Sequence, residues 1–419
     1  MINSLMGALK IGDLRQKLLF TILMLFVFRL GAHVPVPGVN TEVFSNLVSQ
    51  GALFGFFDVI SGGAFKKFSV FAMSITPYIN ASIIMQLLTV VIPHLERLAK
   101  EGEEGRRKIT QYTRYLTVVL AFIQAIGMSI ALKNAFIRPT LDQYLLVSLT
   151  LTAGTAFLMW IGEQITEKGI GNGISLLIFA GIVSRVPAGI VRTVEYIQAG
   201  TISYFSLLLL VIIGILVIAG IVMINEGQRR LPVQYAKRVV GRRVYGGQST
   251  HIPLRVNQAG VIPVIFASSI LMFPQQLVQW FSGEKFSAWY STYFDWGTAA
   301  HTIMYALLVI GFTFFYTTVI MNPSDVAENI KKYGGFIPGI RPGRPTAEYI
   351  SKVMHKITLV GAVFLAVIAI LPNFVLLATR IPNIYFGGTA LLIVVGVALD
   401  TMKQIESQML MRSYHGFIK

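Results

Sequence analysis

Side chains able to do chemistry are few in this chain, and their spacing suits no reaction. Gly169-Ile170-Gly171-Asn172-Gly173 lacks the spacing of a dinucleotide-binding loop and precedes no βαβ pattern. Gly283-Glu284-Lys285-Phe286-Ser287 lacks the earlier glycine and the strand that a phosphate-cradling loop requires. The 6 His are scattered without metal-ligand spacing, and the absence of Cys excludes disulfides, thiol catalysis and Cys-bound metal. Four ionisable residues remain inside or beside apolar runs: Arg29, Glu163, Arg185 and Asp400. At mid-membrane depth such groups mark ion or solute pathways. Each lies toward the end of its run, however, where reaching for the polar boundary is the expected behaviour. No catalytic residue, metal or cofactor is therefore expected, and any energy spent must come from another protein.

What the middles of the apolar runs offer instead is aliphatic: Ile75 and Ile79, Ile178, Ile265 and Ile393. A greasy constriction blocks water and ions by dewetting and makes no specific demand on what passes. That suits a permissive, gated pore better than a selective one. Buried isoleucines are commonplace, so on the residues alone core packing is the stronger reading of these five.

The elements that would position them are membrane spans. Charged residues are 13% and hydrophobic ones 54% of the 419 residues, against roughly 25% and 45–50% in soluble domains. A span needs roughly 20 predominantly apolar residues. Ten candidates meet this: 17–36, 71–92, 115–133, 143–162, 174–195, 204–224, 258–279, 301–321, 354–371 and 387–405. The first follows Lys10, Arg15 and Lys17 in the manner of a signal peptide, yet leads into Val34-Pro35-Val36-Pro37-Gly38 with no small-residue cleavage site, so it reads as a span. The fifth carries Arg185 and Pro187, and the seventh is rich in Gln, Ser and Pro, so hydropathy alone could drop either.

Charge supports keeping both. With ten spans and both termini cytoplasmic, most of the 35 Lys and Arg fall on inside segments. Only Lys66, Lys67, Lys133, Arg138, Arg185, Arg192, Lys285 and Arg380 fall outside, and Arg29 lies within the first span. Losing one weak span would invert everything after it and mix the two sets. The net charge of +16 is thus mostly topology rather than a nucleic-acid signature.

The chain is arranged around one interrupted stretch, Phe54 to Pro93. Phe54-Gly55-Phe56-Phe57-Asp58-Val59-Ile60 breaks at Ser61-Gly62-Gly63 and Lys66-Lys67, and the apolar run resumes at Phe68, carries Pro77 and ends at Pro93. Backbone groups freed by such breaks find no water in hydrocarbon, so they survive only where protein or a wet cavity surrounds them. A kinked ordinary helix is the competing reading. In the matching place of the second half, the seventh span carries Pro263 and Pro274 with Asn257, Gln258, Ser268 and Ser269. Paired breaks of this kind point to a pathway between inverted halves, 1–200 and 201–419.

Two basic loops are far longer than a connection requires, 225–257 and 322–356. The first alternates basic with apolar residues from Gln228 to Tyr245. The second holds Phe336-Ile337-Pro338-Gly339-Ile340-Arg341-Pro342-Gly343, whose Pro and Gly fix a turn with Arg341 at its tip. Anionic lipid would attract any basic tail, at about 1 kcal/mol per residue. Rigid turn chemistry argues further for a shaped partner, protein or ribosomal RNA, since both carboxylate and phosphate suit the Arg fork.

Several long motifs, in order, then become familiar: Glu163-Gln164-Ile165-Thr166-Glu167-Lys168-Gly169-Ile170-Gly171-Asn172-Gly173-Ile174-Ser175, Tyr235-Ala236-Lys237-Arg238, Gln248-Ser249-Thr250-His251-Ile252-Pro253-Leu254, Gly260-Val261-Ile262-Pro263 and Pro338-Gly339-Ile340-Arg341-Pro342-Gly343. From about Leu14 to Gln404 the chain resembles the SecY family, the central channel subunit of the bacterial Sec protein translocase. The resemblance implies an all-α polytopic membrane protein, ten transmembrane helices in two inverted five-helix halves around a central pore, in the bacterial cytoplasmic membrane. It implies a protein-conducting channel, where residues alone left a secondary solute transporter as the alternative, and no enzyme. Segment 54–70, with Phe54, Phe57, Ile60, Gly62 and Gly63, then looks like a plug. Ile75, Ile79, Ile178, Ile265 and Ile393 fall at positions similar to the family's pore ring, which overturns the core-packing reading. A sixth ring member is expected from the seventh span. Pro77, Asn80, Gln86, Asn257, Pro263 and Ser268 lie on the lateral-gate segments. Arg242, Arg243 and Arg341 resemble contacts for the ribosome, through its rRNA and proteins, and for the SecA motor ATPase. SecE and SecG subunits, signal sequences, unfolded preproteins and anionic lipids complete the implied partners. The C-terminal tail after Arg412 is shorter than the family pattern.

Overall fold

The computed structural model describes residues 11–42, 44, 58, 61–131, 135–137, 140–200, 203–235, 238–240, 243–245, 249–281, 284–294, 298–379 and 388–416. Phe54, Phe57, Ile60 and Arg242 lie outside the described residues. The chain is dominated by helices. In order they are α1 (Gly12–Gly31), α2 (Thr76–Val91), α3 (Pro93–Lys100), α4 (Glu103–Ala131), α5 (Leu141–Lys168), α6 (Gly173–Val183), α7 (Val186–Gln198) and α8 (Tyr204–Glu226). Four strands follow, β1 (Gln228–Tyr235), β2 (Arg238–Val240), β3 (Arg243–Tyr245) and β4 (Ser249–Arg255). Then come α9 (Ile262–Phe281), α10 (Glu284–Phe294), α11 (Ala299–Ile320), α12 (Pro323–Lys332), β5 (Gly335–Phe336), α13 (Arg344–Thr379) and α14 (Gly388–Gly416).

Burial along the helices explains why they need a membrane. In α1 the buried residues are Leu14, Thr21 and Phe28, one narrow stripe at heptad spacing, while Leu19, Ile22 and Phe26 stand exposed. In α8 only Val217 and Ile221 are buried, and the exposed remainder includes Leu208, Ile212, Ile215 and Leu216. Helices apolar on their exposed faces are stable only in an apolar solvent. Among the described residues 6 helical stretches are long and apolar enough to cross a membrane, or 7 if α2 and α3, bent by 100° at Ile92, count as one broken span. The apolar runs 17–36, 258–279 and 387–405 fall on α1, α9 and α14. These are charged at one or both ends, as at Asp13 and Arg29 or Asp400 and Lys403, or apolar only over Ile262–Pro274.

The main apolar core draws side chains from nine helices. It joins Phe28 of α1, Ile79 and Ile83 of α2, Leu158 and Ile161 of α5 and Ile178 of α6 to Ile221 of α8, Val264 of α9, Val309 of α11, Leu365 of α13 and Ile393 of α14. The two proposed halves thus share one core. A second cluster packs Val36, Val39 and Phe44 on Phe65 and Phe68, backed by Ala125 of α4 and Val147 and Leu151 of α5. There the chain leaving α1 forms a short antiparallel bridge, Pro35 to Ser69, in which Val36 donates to the Phe68 carbonyl at 2.9 Å and Val70 to that of Val34 at 2.9 Å.

An all-helical expectation needs one correction. The two long basic loops contain a three-stranded antiparallel sheet in the order β4-β1-β5. Its register runs from Gln228 opposite Arg255 to Gln234 opposite Ser249, and β5 adds Gln234 opposite Phe336 and Tyr235 opposite Gly335. The alternation of basic and apolar residues in 228–235 is a strand signature: Leu231 and Val233 point into a cluster with Leu254, Ile330, Ile337, Ile350 and Met354, and their neighbours face out. Loops that sequence treats separately are therefore one folded body.

The prolines also act differently from kinks. Pro77 is the second residue of α2, whose first is Thr76, and Pro263 is the second residue of α9, whose first is Ile262. At a helix start proline loses nothing, because its missing N–H would lack an intrahelical partner anyway. The interruption before Pro77 is a run of turns over 61–75, with left-handed backbone at Gly62 (φ 66°), Gly63 (φ 89°), Phe68 (φ 43°) and Ser74 (φ 53°). In α9 it is Pro274 that lies in the helix interior.

Candidate functional site

The five isoleucines come from four separate helix contexts. Ile75 is the residue before α2 and accepts from the Ile79 N–H at 3.0 Å, so the two stand one turn apart on one face. Ile178 is mid-α6, Ile265 lies in the first turn of α9, and Ile393 lies near the start of α14. All belong to the main core: Ile75, Ile79, Ile178 and Ile393 are 2%, 8%, 3% and 5% exposed, and Ile265 packs against them partly buried. Helices from both halves thus contribute to one aliphatic knot. Val264, Phe266 and Ala267 of α9 are buried in the same core, and Ile270 and Leu271 pack against it.

Adjoining this knot is a cavity of about 430 Å³, and Ile265 lines it. Its other walls mix apolar side chains, Val261, Ile262, Ile320 and Val397, with polar ones: Asn172 and Ser175 at the start of α6, Asn225, Arg255, Asn257 and Gln258, with Asp400, Thr401 and Gln404 of α14. Asn257 donates to the Asn225 side chain at 2.8 Å and to the Gly260 carbonyl at 3.1 Å, and its own side-chain carbonyl is buried without a partner. The glycine-rich 169–173 segment braces this rim. Thr21 of α1 accepts from the Ile170 N–H at 3.1 Å, Thr166 from that of Gly173 at 2.8 Å, and Gln404 of α14 from that of Gly171 at 2.8 Å. Asn172 caps α6 through the Ser175 N–H at 3.1 Å. Close approach requires glycine here, since a Cβ on Gly173 would meet the Gly162 carbonyl oxygen at 1.9 Å.

The Gly62-Gly63 turn lies at the C-terminal end of α6, away from the cavity residues at its start. Gly62 sits so close to α6 that a Cβ would come 2.9 Å from the Gly181 Cα. Arg29, expected to reach for the membrane boundary, instead donates to the Gly62 carbonyl at 2.7 Å and the Ser184 hydroxyl at 3.0 Å. Arg185, of which the same was expected, is ion-paired with Asp58. The physical reason is cost: a guanidinium near hydrocarbon gains more from a carbonyl or carboxylate within reach than from stretching to water. Glu163 pairs with Arg114 across α5 and α4 at 2.6 Å, with both side chains partly exposed. Asp400 lies on the cavity wall.

Pro77, Asn80 and Gln86 are on α2, Pro263 and Ser268 on α9, and Asn257 precedes α9. The two helices pack against each other, and α4 packs on both. Ser268 donates to the Ile265 carbonyl at 2.8 Å, so its hydroxyl is spent within its own helix. The Gln86 side-chain carbonyl and the Gln124 side-chain amide of α4 are buried without partners. Gln124 was missed in the sequence, where one Gln in an apolar run carries no pattern. Arg341 is exposed on its turn, with left-handed Gly339 (φ 81°) and Gly343 (φ 100°) flanking it and Thr346 bonding its carbonyl at 2.8 Å. Arg243 is in β3.

A match to the SecY family model covers residues 69–402. Among curated proteins, the protein translocase subunit SecY of Halalkalibacterium halodurans is 51% identical over the full length of both chains. That of Escherichia coli K12 is 48% identical over 98% of this chain and 95% of its own. Solved structures share the fold at 20% identity. One of a protein conducting channel has a TM-score of 0.69 over 93% of this chain and 91% of that one. One on the SecY plug domain, described as stabilising the closed state of the translocation channel, has 0.67 over the same shares. The Sec61 of a canine ribosome-channel complex has 0.65, again over 93% and 91%.

Proposed function

The chain belongs to the SecY family, and from that membership we propose how its own residues do the family's work. It is a protein-conducting channel of a membrane translocase, passing unfolded secretory polypeptides across the bilayer and releasing hydrophobic segments sideways into lipid. It is no enzyme, and a solute transporter finds no support in its relatives. The observation that carries the activity is identity to translocase subunits along the whole chain.

In this reading ten spans form two inverted halves, 1–200 and 201–419, with both termini in the cytoplasm. The inside bias of Lys and Arg supports that arrangement, with α1, α9 and α14 supplying the spans that length and apolarity alone do not single out. Ile75, Ile79, Ile178, Ile265 and Ile393 form the waist of the pore. Unfolded polar chain gains little by binding aliphatic side chains, so the waist can seal around it without holding it. The cavity lined in part by Asn172, Asn225 and Asn257 is its cytoplasmic vestibule. Segment 54–70 plugs the resting pore from the C-terminal end of α6.

The seam between α2 and α9 is the sideways exit, with Pro77, Asn80, Gln86, Asn257, Pro263 and Ser268 along it. At the centre of a membrane helix each Leu or Ile contributes about −0.3 to −0.6 kcal/mol, so a sufficiently apolar segment gains by leaving through that seam and a polar one does not. Arg242, Arg243 and Arg341 present the cytoplasmic face to the SecA motor or to the ribosome. SecE and SecG complete the complex, and anionic lipid flanks the basic loops. Replacing Ile79 and Ile393 with Asn should raise the resting ion conductance of single channels and relax signal-sequence stringency. Unchanged conductance with unchanged stringency would remove the waist from these residues.

A further inference from the structure

Two arginines from different helices hold the same turn. Arg29, in the last turn of α1, donates to the Gly62 carbonyl at 2.7 Å and to Ser184 at 3.0 Å. Arg185, between α6 and α7, pairs with the Asp58 carboxylate and lies over Gly63, where a Cβ would stand 3.5 Å from its guanidinium carbon. Asp58 is 4% exposed and organises the turn from within. Its backbone carbonyl accepts from Gly63 N–H at 2.8 Å and from the Ser61 hydroxyl at 3.2 Å, and its side chain accepts from Lys66 N–H at 2.8 Å. Ser61, fully buried, in turn accepts from Phe65 N–H at 3.0 Å.

We propose that Arg185–Asp58 and Arg29–Gly62 form an electrostatic latch that sets how often the resting channel opens. The inference rests on the reading of 54–70 as the plug and adds which side chains fix it. Turning one carbonyl and one carboxylate toward two cations, one on α1 and one in the α6–α7 connection, ties the turn to both. Such bonds are strong while the surroundings are dry and weaken steeply once water enters, because the interaction scales inversely with the local dielectric. The latch is therefore firm in the sealed channel and lets go as the pore hydrates, which makes release abrupt. Removing one member of a buried pair also leaves the other charge uncompensated, so loss of either should act strongly.

The test uses the complete translocase, reconstituted in planar bilayers, with four variants. Asp58→Asn keeps the acceptor for Lys66 N–H and removes only the charge, and Arg185→Gln removes the facing cation. Each should raise the resting open probability about tenfold, which corresponds to ~1.4 kcal/mol. The double variant should open no more often than either single one, since both remove one interaction. Deleting 58–67 should exceed them all. Because the chain has 0 Cys, Ser61→Cys reports position directly: its alkylation should be slow in the parent and faster with Asp58→Asn. Wild-type conductance in the deletion would overturn the plug reading itself. A leaking deletion beside silent Asp58→Asn and Arg185→Gln would overturn the latch alone, as would single effects that multiply in the double variant.

Discussion

At the residue scale, contact geometry singles out positions that composition cannot. Gly154 of α5 has no room for a side chain: a Cβ would lie 2.0 Å from the Val70 carbonyl oxygen, which is backbone and cannot swing aside. Gly154→Ala should therefore push the 68–75 turns off α5, at a cost of about 1–3 kcal/mol. Thermal unfolding of the purified complex would show a lower midpoint, and an unchanged midpoint would mean the turns move freely. The arginines give the opposite lesson about legibility. Arg29 and Arg185 were visible as charges beside apolar runs, yet their partners Gly62 and Asp58 lie far along the chain, and no local pattern announces such a pair. The five isoleucines were read as a pore waist only through resemblance, and what the structure shows of them is that they meet in one core.

At the element scale, the interrupted stretch 54–93 was legible as a break but not in its mechanism. Gly and Pro mark where a helix cannot continue, and the chain does turn repeatedly over 61–75. Which side of Pro77 the break falls on depends on the helix register, and the structure starts α2 at Thr76, so the break falls before the proline. Pro77→Ala should then leave α2 in place and lower stability by less than about 1 kcal/mol, the entropy of a freer unfolded chain. Export efficiency measured with a standard preprotein should stay near the parent's. A large export defect would show that the proline bends the span after all. The strand at 228–235 illustrates the reverse failure: its alternation was plain in the sequence, but a span-by-span reading treats every connection as loop and passes over it.

At the scale of the whole molecule, the β1–β5 pairing makes one body of two loops separated by α9, α10 and α11. Val233 is fully buried in its cluster beside Ile350 and Ile337. Val233→Asp would place an unpaired carboxylate there, a change far costlier than a surface substitution. Both loops should become protease-sensitive together, around 236–248 and around 333–343, while the spans stay embedded. Cleavage confined to the first loop would show that the sheet contributes little. The mostly helical membrane class and the exposed Arg341 turn were readable because each depends on residues close in sequence. The β1–β5 pairing, the shared core and the Thr21–Ile170 and Gly171–Gln404 bonds of the rim join residues far apart in sequence.

That rim has a mechanical corollary. α6 meets α14 across a margin stitched by the Gly171–Gln404 hydrogen bond and by Leu14, Ile170 and Ile405 packed together beside it. α2 meets α9 across a margin where Gln86 is left with an unanswered carbonyl. A binding sewn along one side and merely pressed together along the other can only fan open like pages. In the proposed channel the spine then stays narrow while the free edge travels farthest, so a modest swing at the proposed waist would yield a wide slit at the α2–α9 seam.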